Sequence, residues 1–286
     1  MFIKKGYIYS VISAVLFGSA GLFIKYAYST GLESVSLLTI QYIFAIIIMF
    51  TLIMIKNKNQ VKVNKKTLIN LAIMGVVGNT FMTVFYYKAF EYLPVPLVTI
   101  LLYTYPVMVF FYSTIFKKEK VTLKKSLAVA LAFFGCILTL ELLGGEIQYS
   151  IKGIMYGILC AVFYAFMNIF TENKLENVPP LTINAYSTLF SLMALLIYKP
   201  LTYSILSSLS VKGISSIIIL AVFCEVIPLT LLYAAISYIG ALKVSIIANL
   251  EVPSAVLMAF LFLGETVSVT QAIGIVLVIV ATVLIK

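Results

Sequence analysis

The sequence predicts an all-α membrane protein: ten transmembrane helices arranged as two inverted five-helix repeats. Three observations lead there: the composition, a succession of apolar blocks of bilayer length, and a self-similarity between the two halves. Of 286 residues, 63% are hydrophobic and 10% are charged, whereas a soluble domain carries about 25% charged residues. All twenty basic residues are Lys and all ten acidic residues are Glu, with no Asp, Arg, His or Trp.

A bilayer core about 30 Å thick takes roughly 20 apolar residues per helix. Blocks of that kind run near 7–28, 34–55, 67–90, 95–116, 122–142, 152–171, 181–199, 213–237, 242–263 and 267–285. Turn or charge signals separate them: Thr30-Gly31, Leu93-Pro94, Gly144-Gly145, Pro179-Pro180 and Gly240. A membrane barrel needs short strands of alternating polarity, which these continuous runs lack. The first block follows Lys4-Lys5 and so imitates a secretory signal. Its apolar run continues past Ser19-Ala20-Gly21 to Tyr28, too long for a cleaved signal, and is read as the first span.

The lysines set the orientation. With the amino terminus in the cytoplasm, fifteen of them lie inside, five each in the stretches 56–66 and 117–125. Lys152, Lys199 and Lys212 lie outside, and Lys25 and Lys88 sit near the outer ends of spans one and three. The positive-inside rule therefore predicts a multi-pass protein of the cell membrane with both termini cytoplasmic. The net charge of +10 comes from these short lysine runs between apolar blocks. Such runs contact anionic lipid; the basic face with interleaved aromatics that nucleic acid requires is missing.

The halves resemble each other. Lys5-Gly6-Tyr-Ile-Tyr9 recurs as Lys152-Gly153-Ile-Met-Tyr156, and Leu38-Thr-Ile-Gln41 as Leu181-Thr-Ile-Asn184. From span three into span five, one offset of 146 pairs Tyr87 with Tyr233, Tyr92 with Tyr238, Thr99-Ile100 with Ser245-Ile246, and Glu119 with Glu265. Pro106 and Pro253 fall one residue out of that register. The repeats are taken as 1–145 and 146–286. Five is an odd number of spans, so the second copy is expected upside down, an architecture of many secondary transporters.

The stretches Leu101-Leu-Tyr-Thr-Tyr-Pro106 running to Glu119, and Leu250-Glu-Val-Pro253 running to Leu263-Gly264-Glu265, carry a family resemblance. The chain resembles the drug/metabolite transporter superfamily, in the ten-helix group with two EamA-type domains. The resemblance implies a central cavity lined by spans 1, 3, 4, 6, 8 and 9, and a role often in export of amino acids or other metabolites. Departures from it are Lys118, where Gly264 stands in the second copy, and Lys120 after Glu119.

An ionisable side chain at mid-bilayer is a functional hypothesis by default. Glu225 in span eight and Glu251 in span nine qualify, and the offset sets them against Asn79 and Tyr105. These four groups are expected at one depth around the pseudo-two-fold axis, as substrate contacts, with the two Glu also exchanging protons for solute. Tyr233 lies two turns beyond Glu225 on the same helix face. Tyr87, Tyr103, Tyr105 and Tyr233 can line the cavity, and an aromatic wall beside carboxylates suits an ammonium group. Asn249, next to Glu251, is a further contact candidate; Asn168 and Gln41 suit helix-to-helix hydrogen bonds better. Pro106, Pro228 and Pro253 interrupt their helices near the midplane and can act as hinges.

Gly153 and Gly157 fit the small-xxx-small packing pattern, and Cys136, Cys160 and Cys224 are buried small hydrophobes. A metal or cofactor site has no ligand set to build on, and no phosphate-binding loop is present. The expected function is alternating-access transport of a small organic metabolite such as an amino acid or amine, by export and coupled to protons, rather than an enzymatic reaction. The alternatives are an uncoupled facilitator or exchanger of amino acids with structural carboxylates, and a non-transport partner subunit.

Overall fold

Lipid demands that every backbone polar group be satisfied within its own segment, which leaves helices as the way to use such apolar blocks. The computed structural model describes residues 2–28, 34–141, 150–201 and 211–286, and among them the chain is helical with no strand. The helices are α1 (Phe2–Tyr28), α2 (Ser34–Lys56), α3 (Lys65–Phe90), α4 (Val95–Ile115) and α5 (Leu123–Thr139). They continue with α6 (Ile151–Lys174), α7 (Pro180–Tyr198), α8 (Gly213–Ile239), α9 (Ala241–Leu263) and α10 (Val269–Leu284). Among the described residues, seven helices, α2, α3, α4, α6, α7, α8 and α9, are long and apolar enough to cross a bilayer, and α10 is a shorter apolar helix. Thr30-Gly31, Gly144-Gly145, the boundary at 145 and the side chains of Lys25 and Lys212 lie outside the described residues.

Local chemistry starts and stops these helices. Asn64, Thr122, Ser150 and Ser268 accept hydrogen bonds from backbone N–H groups of the first turns of α3, α5, α6 and α10. Each satisfies a donor that the helix itself leaves open. The chain leaves α4 through Lys118 at φ 53° and α9 through Gly264 at φ 70°. In both places the next residue, Glu119 or Glu265, returns its N–H to a carbonyl six positions back, Ser113 or Ala259. The same left-handed cap thus closes both spans, at a position that suits Gly264 and that Lys118 also adopts.

Four of the helices are irregular, and the irregularities recur at the offset of the repeat. α3 contains a π-helical stretch, Met74–Thr80, and α8 another, Ala221–Val226. α4 is broken at Tyr103 and Thr104, and α9 at Asn249 and Leu250. Pro106, Pro228 and Pro253 each follow within three residues of a break or a π stretch, where a residue without an N–H is tolerated. The breaks stand in register although the prolines do not. In α3 no proline takes part. There Thr80 donates its hydroxyl to the Gly75 carbonyl (3.0 Å) and shares a hydrogen bond with Ser191 of α7 (2.9 Å).

Packing between the halves is reciprocal. Gly6 of α1 lies against Tyr238 and Ile239 at the end of α8, and Gly153 of α6 against Tyr92 and Leu93 after α3. A Cβ at either glycine would come within 3.0 Å of those side chains. Gly157 likewise meets Leu101, so the Gly153-xxx-Gly157 pattern serves packing. α5 and α10 approach each other through Gly135 and Gly274. Tyr7 of α1, Lys243 of α9 and the carbonyl of Lys286 meet at one end of the bundle, with Lys243 Nζ 3.0 Å from the Tyr7 hydroxyl. The first turns of α1 and the last residue, Lys286, are therefore at the same end of the bundle. At the same helix ends, Lys117 pairs with Glu172 at 2.6 Å. The perimeter is apolar: Leu123 and Ile197 are each 85% exposed and Ile151 78%. So large an exposed apolar surface belongs against lipid.

Candidate functional site

The interior of the bundle is where the irregular helices meet. Glu225 is the fifth residue of the π stretch in α8 and is 7% exposed. Its Oε1 accepts a hydrogen bond from Thr188 of α7 at 3.0 Å. One turn earlier on α7, Asn184 donates from Nδ2 to the carbonyls of Glu225 and Val226 and to Thr230 Oγ1, at 3.3, 3.3 and 3.0 Å. A π stretch leaves carbonyls open to such contacts. Ser13 of α1 adds a hydrogen bond to the Pro228 carbonyl at 2.8 Å. Tyr42 of α2, and Tyr233 and Cys224 of α8, are close enough to Glu225 to interact electrostatically.

Glu251 is the first residue of the helical half that follows the break in α9. The break is braced by Asn249, which donates to the carbonyls of Ser245 (3.0 Å) and Ile246 (3.1 Å) and accepts from Cys136 of α5 (3.3 Å). That commits its amide to the protein, so Asn249 is a brace rather than the open contact expected of it. On the other side, Gly18 of α1 brings its backbone against the Glu251 carbonyl, where a Cβ would stand 2.6 Å away. Four tyrosines and a cysteine surround the half-buried carboxylate: Tyr86 of α3, Tyr103 and Tyr105 of α4, Tyr164 of α6, and Cys136. Cys224 lies within electrostatic range of both carboxylates.

The two tyrosines of α4 differ in what they have left to offer. Tyr105 is fully buried, donates to the Ser245 carbonyl at 3.3 Å, and packs on Tyr164 with ring centroids 4.3 Å apart. Its hydroxyl is spent on tying α4 to α9. Tyr103 is 2% exposed, and its hydroxyl is turned toward the Glu251 carboxylate rather than toward a backbone carbonyl. Asn79, in the π stretch of α3, is 4% exposed, and its amide lies beside the Tyr233 side chain. Asn168 of α6 donates to the Tyr164 carbonyl, but its Oδ1 has no partner. Buried polar groups are nearly always paired, so each unpaired one asks for an explanation.

The remaining candidates differ in where they sit. Gln41 donates to the Leu220 carbonyl at 3.5 Å, the helix-to-helix bond expected of it. Tyr233 fits beside Met167 of α6, its hydroxyl 3.9 Å from the sulfur. Tyr87 lines a cavity of about 250 Å³ at the ends of α2, α3 and α7, with Lys88, Glu91 and Lys199. Lys88 pairs there with Glu91 at 3.7 Å. Thr188, Asn184 and Tyr42 were not legible as site residues. The only available signal was that Asn184 and Thr188 stand four apart, on one helix face.

An apolar perimeter around carboxylates and interrupted helices marks a membrane protein with a functional interior. The comparisons agree. The EamA-like transporter family matches residues 4–141 and again 151–286, and the chain belongs to that family. It is 24% identical to the uncharacterized transporter YcbK of Bacillus subtilis over 94% of this chain and 88% of that one. It is 28% identical to an uncharacterized transporter of Archaeoglobus fulgidus over 92% of this chain and 90% of that one. A protein of known crystal structure shares the fold with a TM-score of 0.81 at 12% identity, covering 98% of this chain and 96% of the other.

Proposed function

We propose that this transporter moves a small amine-bearing metabolite outward by alternating access, exchanging it for protons at Glu251 and Glu225. The observation that carries the reading is two carboxylates, Glu225 and Glu251, at the irregular stretches of α8 and α9, with the buried Tyr103 turned toward Glu251 and Asn79 and Tyr233 side by side near Glu225. A solute with a primary ammonium group and further polar atoms satisfies both features. The carboxylates take the charge, the Tyr103 and Tyr86 rings supply cation–π attraction, and the Asn79 amide takes a remaining polar atom. Among the residues expected at the site, Glu225, Glu251, Asn79, Tyr103 and Tyr233 are retained as solute contacts. Tyr105 and Asn249 hold the helices around it, and Tyr87 belongs to the outer mouth.

The reading includes ten spans in two inverted repeats, at 1–145 and 146–286, rocking about the interrupted helices. The matched π stretches, breaks and caps support it, as does the reciprocal packing of α1 on α8 and α6 on α3. Both termini are placed in the cytoplasm on the lysine distribution. A cysteine at position 60, in a cysteine-free background, then reacts with impermeant reagent only in opened cells; labelling in intact cells reverses the topology.

A solute that binds only the folded state raises its apparent stability. Screened against the purified protein, primary amines and amino acids should raise Tm more than dicarboxylates or sugars of similar size. A screen in which only anions stabilise overturns the substrate class. One observation favours a second reading: Glu225 already has a protein partner in Thr188. In that reading the carboxylates are structural and transport is an uncoupled exchange of amino acids.

A further inference from the structure

The Thr188 hydroxyl has one proton and two acceptors within reach: Glu225 Oε1 at 3.0 Å and Asn184 Oδ1 at 3.2 Å. It can donate to only one of them at a time. We propose that Thr188 and Asn184 form a relay on α7 that reads the charge of Glu225 and passes it to the π stretch of α8. With Glu225 ionised, the hydroxyl is drawn to the carboxylate, because a charged acceptor makes the stronger bond. Asn184 Oδ1 then loses that donor. With Glu225 protonated, its own O–H donates to Thr188 Oγ1, and the Thr188 proton turns to Asn184 Oδ1. The chain then runs unbroken from Glu225 through Thr188 and Asn184 to the carbonyls of Glu225 and Val226. No atom changes owner except the proton that Glu225 takes up or gives away.

The consequence is mechanical. In the protonated state the Asn184 side chain is held at both ends, oxygen by Thr188 and nitrogen by the open carbonyls of α8 and by Thr230. In the ionised state only the nitrogen end is held. Linked hydrogen bonds strengthen one another in a low-dielectric interior, so α7 grips the π stretch more firmly when Glu225 carries its proton. The titratable groups around Glu225 are Tyr42 from α2 and Tyr233 and Cys224 from α8, with Glu251 reached across Cys224. Asn79 of α3 and Asn184 and Thr188 of α7 bring no charge. No described cation faces Glu225, so its proton is the local variable that sets the relay.

The first half has no such device. The alignment that sets Gln41 against Asn184 sets Ala45 against Thr188. Asn79, the counterpart of Glu225, correspondingly has no hydroxyl at that position of α2 to bond and lies beside Tyr233 of α8 instead. The two halves thus divide the labour, with the proton read in the second half and the first half's amide left open to the solute. This rests on the proton-coupled reading, in which Thr188 and Asn184 are positioning residues.

The test needs no known substrate. Infrared difference spectra of the purified protein are recorded as pH is stepped from acid to alkaline, and the C=O band of protonated Glu225 is identified by its loss in Glu225→Gln. In Thr188→Val that O–H has lost its acceptor, and the band should shift to higher frequency. In Thr188→Ser, which restores a hydroxyl, it should return to the wild-type position. A band unmoved in Thr188→Val overturns the relay, as does a Thr188→Ser spectrum that resembles Thr188→Val. The proton-coupled reading fails separately, through solute uptake that leaves the internal pH of liposomes unchanged.

Discussion

Glu251→Gln is expected to leave the protein folded in the membrane and to reduce solute uptake by proteoliposomes to the level of protein-free vesicles. The argument starts from the shape of α9. Asn249 holds the carbonyls before the break, and Glu251 opens the helix after it. The side chain is therefore not needed to brace the backbone, and an isosteric amide should be accommodated. What the amide cannot do is carry a charge. It pairs with an ammonium group far less strongly than a carboxylate does, and it neither gives up nor takes a proton. Circular dichroism and size-exclusion profiles should match those of the wild type. Full uptake by Glu251→Gln would demote the residue to packing and leave Glu225, Tyr103, Asn79 and Tyr233 as the remaining contacts.

The second large effect is on stability. Gly274→Val should lower the stability of the detergent-solubilised protein by about 1–3 kcal/mol, the usual cost of overpacking, or prevent its insertion. A Cβ at Gly274 would lie 2.5 Å from the backbone nitrogen and the hydroxyl oxygen of Thr139, and 2.6 Å from the Gly135 carbonyl oxygen. Two of these three are backbone atoms, and the Thr139 hydroxyl is itself engaged with Gly135 at 2.7 Å. Nothing there can swing aside, so α5 and α10 must separate. In a membrane, close packing is what holds helices together. Gly78→Ala is the control, because a Cβ there meets only side-chain atoms of Met167 and Met74, at 3.5 Å. Equal thermal shifts for the two variants would mean that the α5–α10 contact contributes no more than any other.

What could be read from the sequence follows from what lipid imposes. The helices coincide with the apolar blocks because a membrane span has to be continuous and apolar, whatever it packs against. Pro106, Pro228 and Pro253 announced interruptions of α4, α8 and α9, since a missing N–H leaves a mark in the sequence itself. The π stretch of α3 left no such mark. It depends on Gly75, which lets the Ser187 carbonyl approach to where a Cβ would stand 2.3 Å away, and on Thr80, whose hydroxyl reaches that same glycine.

Side-chain roles were legible only in part. Glu225 and Glu251 stood out because a carboxylate in an apolar run is rare. Asn249 looked equally exposed to solute, and only the geometry reveals that its amide serves the Ser245 and Ile246 carbonyls. Tyr103 and Tyr105 are neighbours of one type in one helix. Which of them spends its hydroxyl on α9 is decided by the turn at the break, which a sequence pattern does not specify. Thr188 is one of many hydroxyl residues in helices, and its partner lies 37 positions away.

The central claim is that solute and proton move in opposite directions through one set of carboxylates. Its most direct test is the internal pH of proteoliposomes, followed by a trapped dye, when a solute that raises Tm in the binding screen is added outside. The account predicts that the interior becomes more alkaline as solute enters, in proportion to uptake, and that Glu251→Gln vesicles show no change. Solute uptake by the wild type with no movement of internal pH would contradict it.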